Sequence, residues 1–157
     1  MKKIFFVSMF IIAAYGINAQ DYNAAVGIRG GVSQGITLKT FVGGSSAFDL
    51  ILGTAYHGFN FTALYEIHSH DVFGVDNLAL FYGIGGHVGF YNSTFYPTSW
   101  GTYTSGPVIG IDGVIGIEYT FDEIPINIGL DIVPTLNVFP GLWYWQRGAL
   151  SIRYVFK

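Results

Sequence analysis

The stretch VIGIDGVIGIEYTF, Val108 to Phe121, changes character at every second residue. Ile109, Ile111, Ile115, Ile117, Tyr119 and Phe121 fall on one side. Val108, Gly110, Asp112, Val114, Gly116, Glu118 and Thr120 fall on the other. Successive side chains of a strand point to opposite faces, so a period of two describes a strand with one apolar and one polar face. A helix would scatter the same residues around its circumference. Gly110, Gly113 and Gly116 would each cost it about 1 kcal/mol. Strands of soluble sheets run about 5–6 residues, whereas a strand tilted across a membrane needs roughly 9–11. Pattern and length together predict a strand of a transmembrane β-barrel.

The composition points the same way. The chain has 157 residues, enough for one domain, and 11% of them are charged, where a soluble domain carries about 25%. Hydrophobic residues make up 51%, aromatic residues 18%, and the mean hydropathy is +0.45. So much apolar surface needs a solvent other than water, and only helices and closed barrels satisfy their backbone groups in lipid. Beyond the N-terminal segment no run approaches the length of an apolar membrane helix, which leaves a barrel. The absence of Cys excludes disulfides, thiolate metal sites and a lipoprotein anchor. A net charge of −3 without a basic run argues against nucleic-acid binding.

Residues 1–19 read as a secretory signal peptide. Lys2 and Lys3 form the positive region, Ile4 to Ala14 the apolar region, and Ile17-Asn18-Ala19 the cleavage site. The mature chain then begins at Gln20, and residues 20–157 form the barrel domain.

About eight alternating strands are predicted: 24–31, 35–42, 47–56, 59–68, 78–91, 108–121, 126–139 and 148–156. Residues 24–42 read either as a hairpin or as one long kinked strand. A two-residue turn at Ser33-Gln34 would put Lys39 on the apolar face. A three-residue turn keeps Arg29, Ser33, Thr37 and Lys39 together on the polar one. Gly83, Gly85, Gly86 and Gly89 predict a crowded or sharply curved wall, and Pro134 a bulge or a locally unpaired stretch. Asn92 to Gly106 is the longest polar connection. Pro140 to Gln146 is a loop whose Trp143, Tyr144 and Trp145 suit a membrane–water interface. An even strand number leaves both termini in the periplasm and the long loops outside the cell.

Alternation alone does not say which face points inward. A secreted lipocalin-like barrel would keep its apolar face inside, around a ligand. Its exterior would then need about 25–35% charged residues for solubility, far more than this chain has. The apolar face is therefore expected against lipid. The inward set is Arg29, Lys39, Asp49, Glu66, His68, His87, Asp112, Glu118, Asp131 and Arg153. An eight-stranded barrel is only wide enough for side chains to fill it, so a lumen of paired charges is expected, with carboxylates protonated or paired with His.

Glu66, His68 and His70 share one strand face, and His87 could join them around a metal. The pattern is a weak one, because a site needs three or four converging ligands. No metal or other cofactor is expected. The glycines from Gly83 to Gly89 precede no helix that could hold a phosphate. No G-x-S-x-G motif occurs, and no catalytic residue is expected. An outer-leaflet lipid-modifying enzyme would need a Ser or Asp beside a His at the outer rim, but His68 and Ser69 fall at the periplasmic end.

The signal peptide, the eight alternating strands and the terminal GALSIRYVF together resemble the small outer-membrane β-barrels of Gram-negative bacteria, of which OmpX and the OmpA membrane domain are familiar types. The last strand is similar to the C-terminal assembly signal of that family, with Gly148 followed by alternating apolar residues and aromatics at Tyr154 and Phe156. Lys157 departs from it, since many members end on the aromatic itself. The resemblance implies location in the outer membrane and two partners, outer-membrane lipid and the barrel-assembly machinery. The role expected is structural or surface-interacting, with a ligand outside the cell left open. A lipid-modifying enzyme, a small channel and a secreted binding barrel are the alternatives.

Overall fold

The computed structural model describes residues 22–55, 58–91, 105–139 and 143–156. The predicted signal peptide at 1–19 and the connections 92–104 and 140–142 lie outside the described residues. Eight strands follow one another: β1 (Ala24–Gly31), β2 (Gln34–Gly43), β3 (Ser46–Ala55), β4 (Gly58–Ser69), β5 (Leu78–Tyr91), β6 (Gly106–Thr120), β7 (Ile126–Phe139) and β8 (Trp143–Phe156). Each pairs antiparallel with the next, and β8 closes on β1 from Ala24↔Phe156 to Gly31↔Ala149. The result is a closed up-and-down barrel with no sheet edge. Among the described residues the only helical element is a 3-10 turn, Val72–Gly74, between β4 and β5.

Residues 24–42 form the hairpin, not a single strand. The register runs Val26↔Leu38, Ile28↔Ile36 and Arg29↔Gly35. This register keeps parity across the turn, so Arg29, Ser33, Thr37 and Lys39 are all buried while Ile28, Val32 and Ile36 are exposed. The start of β1, the end of β8, residues 44–45, the connection 70–77 and the turn 121–125 share one end, the terminus end. The loop end is the opposite one, where β1 meets β2, β3 meets β4, β5 meets β6 and β7 meets β8.

The apolar face is outward along every strand. On β7, Ile128, Leu130, Ile132, Leu136 and Val138 are exposed while Asn127, Asp131, Thr135 and Asn137 are buried. From Ile126 to Val138, at about 3.3 Å per residue and a strand tilt of about 40°, the band is roughly 30 Å tall. Ile, Leu and Val dominate its middle. Phe48, Tyr65, Tyr82, Tyr119, Phe121, Tyr154 and Phe156 line its terminus side, and Phe59, Phe61, Phe90 and Phe139 its loop side. Several of these rings meet edge to face, Phe48 with Tyr65 at 5.3 Å and Tyr154 with Phe156 at 5.1 Å.

Glycines permit the close approach that curvature requires. A Cβ on Gly83 would stand 2.0 Å from the Tyr65 carbonyl oxygen, and one on Gly85 1.9 Å from that of Ala63. The β6–β7 ladder is interrupted opposite Pro134: pairing stops at Asp112↔Thr135 and resumes at Ile115↔Ile132. Proline has no N–H to donate, so that rung is lost. The actual shift in register lies further on, between Ile109 and Gly110.

The limits of β2, β3 and β4 differ from expectation by one residue, and those of β6 and β8 by more. β6 spans Gly106–Thr120, not Val108–Phe121. More consequentially, β8 begins at Trp143, not Gly148, so most of the predicted loop Pro140 to Gln146 is strand. The ladder to β7 continues to Asn137↔Trp143, which draws the aromatic run into the sheet.

Candidate functional site

Side chains of the inward parity fill the lumen, and nearly all of the charge in the barrel meets there. On the terminus side, Lys39 reaches in from β2. Its Nζ lies 2.7 Å from Glu66 Oε2 on β4 and 3.0 Å from Glu118 Oε2 on β6. The ammonium also sits 4.1 Å above the Phe81 ring, where the π face attracts a cation. His68 bridges the same carboxylates, with Nε2 3.1 Å from Glu66 and Nδ1 3.4 Å from Glu118. Arg153 on β8 donates from Nη2 to Asp49 on β3 at 3.2 Å and from Nη1 to Asn127 Oδ1 at 3.2 Å. Thr37 donates to the same Asp49.

Tyr22 closes this end. It precedes β1, is 2% exposed, and donates its hydroxyl to Glu118 Oε1 at 2.9 Å. Its ring stands edge-on to Phe41 at 5.1 Å. Burial and the neighbouring Glu118 carboxylate hold the phenol well above its ordinary value, so it stays a neutral donor.

Ile51, Leu64, Phe81, Val114 and Val133 form an apolar layer across the lumen. Beyond it lies a second polar group. His87 Nδ1 is 3.0 Å from both oxygens of Asp112, and its Nε2 is 2.9 Å from Asn137 Oδ1. Arg147 donates from Nη2 to Asp112 and from Nε to Thr135, each at 3.1 Å. Gly110 and Gly116 leave room for this packing. A Cβ there would stand 2.4 Å from His87 Cε1 and 2.5 Å from Phe81 Cζ respectively. On another part of the wall, Arg29 forks onto both oxygens of Asp131.

Every residue of the predicted lumen set is therefore inward, buried and in contact with an oppositely charged or hydrogen-bonding partner. Desolvating so many charges is favourable only as a network, because a lone buried pair rarely offsets its own desolvation. Two members were missed. Arg147 falls between the predicted loop, which ends at Gln146, and the predicted strand, which begins at Gly148, although the alternation Arg147, Ala149, Ser151, Arg153 carries the signal. Tyr22 lies outside any strand, and no local pattern marks it.

The four metal candidates do not converge. Glu66 and His68 touch, and the His70 ring stacks on His68 at 6.2 Å. His87 is bound to Asp112 and Asn137 on the far side of the apolar layer. Among the described residues no group of three or more His, Asp or Glu could hold a metal ion.

The C-terminal residues Gly148, Tyr154 and Phe156 all lie on β8, the strand that closes the barrel. Gly148 pairs with Ile132, Tyr154 with both Val26 and Ile126, and Phe156 with Ala24. The chain matches no protein-family model, no curated protein and no solved structure.

Proposed function

We propose that this is an integral outer-membrane β-barrel of a Gram-negative bacterium, of the kind represented by OmpX and the OmpA membrane domain, with a structural or surface-interacting role and no catalysis. Residues 1–19 would direct export and be removed, and the assembly machinery would take up β8 through Gly148, Tyr154 and Phe156. The observation that carries this reading is sidedness: a continuous apolar band outside and the ionised residues inside. Water would solvate the opposite arrangement, and lipid solvates this one. The band's height suits the hydrocarbon of an outer membrane, and its flanking aromatics suit the two interfaces. A lipocalin-like carrier needs an apolar lumen around a ligand, and this lumen is lined by paired charges. The apolar layer and the ion pairs also oppose a water-filled pore.

Fractionation of cells together with SDS gels of unboiled and boiled protein tests the location. The expected result is an outer-membrane protein whose mobility shifts on heating. Recovery in the soluble periplasm with no shift would refute it. Planar-bilayer recording is expected to find no steady conductance, and lipid A is expected to be unchanged on deletion of the protein.

A further inference from the structure

Half of the outer wall is apolar with one exception. Among the described residues, the outward positions of β5 to β8 hold aliphatic or aromatic side chains, Gly or Pro, apart from Gln146 on β8, which is exposed. Its register partner is Pro134 on β7. From Pro134 to Val138, at about 3.3 Å per residue and a tilt of about 40°, the amide lies roughly 10 Å inside the apolar band. The wall around it is low. Gly148 follows on the same face of β8, Pro134 and Gly113 lie across β7 and β6, and the β6–β7 ladder is interrupted between those two. A Cβ on Gly148 would meet nothing nearer than 3.9 Å, so the packing of this chain does not itself require glycine there.

Resting on the membrane reading above, we propose that this face pairs two copies of the chain about a two-fold axis that runs along the membrane normal beside Gln146. Hydrocarbon offers an exposed amide no hydrogen bond, so its place in the band is unfavourable unless another protein surface meets it. Two apolar walls in lipid feel no hydrophobic attraction for each other. They associate through close packing and interchain hydrogen bonds, and small residues let the backbones approach. This patch supplies both. A primary amide is its own complement, with two N–H donors and an acceptor oxygen. Two Gln146 side chains facing each other across the axis exchange reciprocal hydrogen bonds, whatever else each touches on its own wall. The low ground at Gly148, Pro134 and Gly113 brings them within reach. Self-complementarity favours a second copy over an unrelated protein, and the hydrogen bonds favour it over an acyl chain.

Sedimentation equilibrium of the mature protein in detergent micelles, with folding checked by the heat-shifted gel band, is expected to show a monomer–dimer equilibrium. Gln146→Leu removes the amide and keeps the bulk, and is expected to raise the dissociation constant about tenfold. Gly148→Leu, which has room on its own wall, fills the low ground and is expected to abolish the dimer. Leu52→Ala on β3, separated from β8 by β1 and β2, is expected to leave it unchanged. The chain has no Cys, so a single thiol reports contact in phosphatidylcholine vesicles. Oxidation is expected to give a disulfide-linked dimer with Gly148→Cys and none with Leu52→Cys. A folded protein that sediments as a monomer throughout would overturn the pairing and leave the membrane reading intact. Equal crosslinking of the two thiol variants, or a dissociation constant that neither Gln146→Leu nor Gly148→Leu changes, would overturn the assigned face. No heat-shifted band in either vesicles or micelles would overturn both readings.

Discussion

Replacing Lys39 by Met should be among the most damaging single changes this barrel can suffer. Met keeps the length of the stem and removes the ammonium. Lys39 is fully buried, and its Nζ stands between Glu66 and Glu118 at 2.7 and 3.0 Å. Deleting one partner of a buried pair commonly costs about 3–5 kcal/mol, because the remaining charge is left unsolvated. Here one deletion removes the ammonium shared by two carboxylates, leaving Glu66 with His68 and Glu118 with Tyr22, His68 and Arg153, while the contact with Phe81 loses only its cationic part. A loss of about 4 kcal/mol, near the middle of that range, is expected. Urea unfolding in lipid vesicles, followed by Trp fluorescence and by the heat-shifted band, measures it. The triple variant Lys39→Met, Glu66→Gln, Glu118→Gln removes the stranded charges and should recover at least half of the loss. A cost below about 1 kcal/mol for Lys39→Met, the size of an exposed pair, would refute the reasoning, because it would mean that water reaches and solvates the cluster.

Gly110→Val drives a side chain into His87 and the Leu136 carbonyl and should lower stability by about 1–3 kcal/mol in the same assay, while Gly30→Ala, with nothing near its Cβ, should change it by under about 0.5 kcal/mol. Pro134→Ala supplies the missing N–H opposite β6 and should stabilise by about 0.5–1.5 kcal/mol, with slower hydrogen exchange along the β6–β7 seam. Because the Tyr22 phenol is held above its ordinary value in the fold, its contribution is complete below about pH 10 and is lost as the pH rises further. Tyr22→Phe should weaken the barrel at neutral pH and flatten that alkaline decline, as pH-dependent unfolding curves of the two proteins would reveal.

Much of this architecture was legible in the sequence, because a strand's two faces meet different solvents and the alternation records both. The limits of β5 and β7 and the parity of the first hairpin follow from alternation, and composition alone indicated that the apolar face turns outward. Where local chemistry resembled something else, the reading failed. Trp143, Tyr144 and Trp145 looked like a loop, and that placement hid Arg147, the partner of Asp112. Which charge meets which was never a local matter. Tyr22 and Glu118 are separated by 96 residues, and Arg29 and Asp131 by 102, yet each pair touches. Those meetings depend on how far each strand slides along its neighbour before the last one closes on the first. Period-two patterning determined which residues face inward; closure of the barrel, which sets the register of all eight strands together, decided their partners.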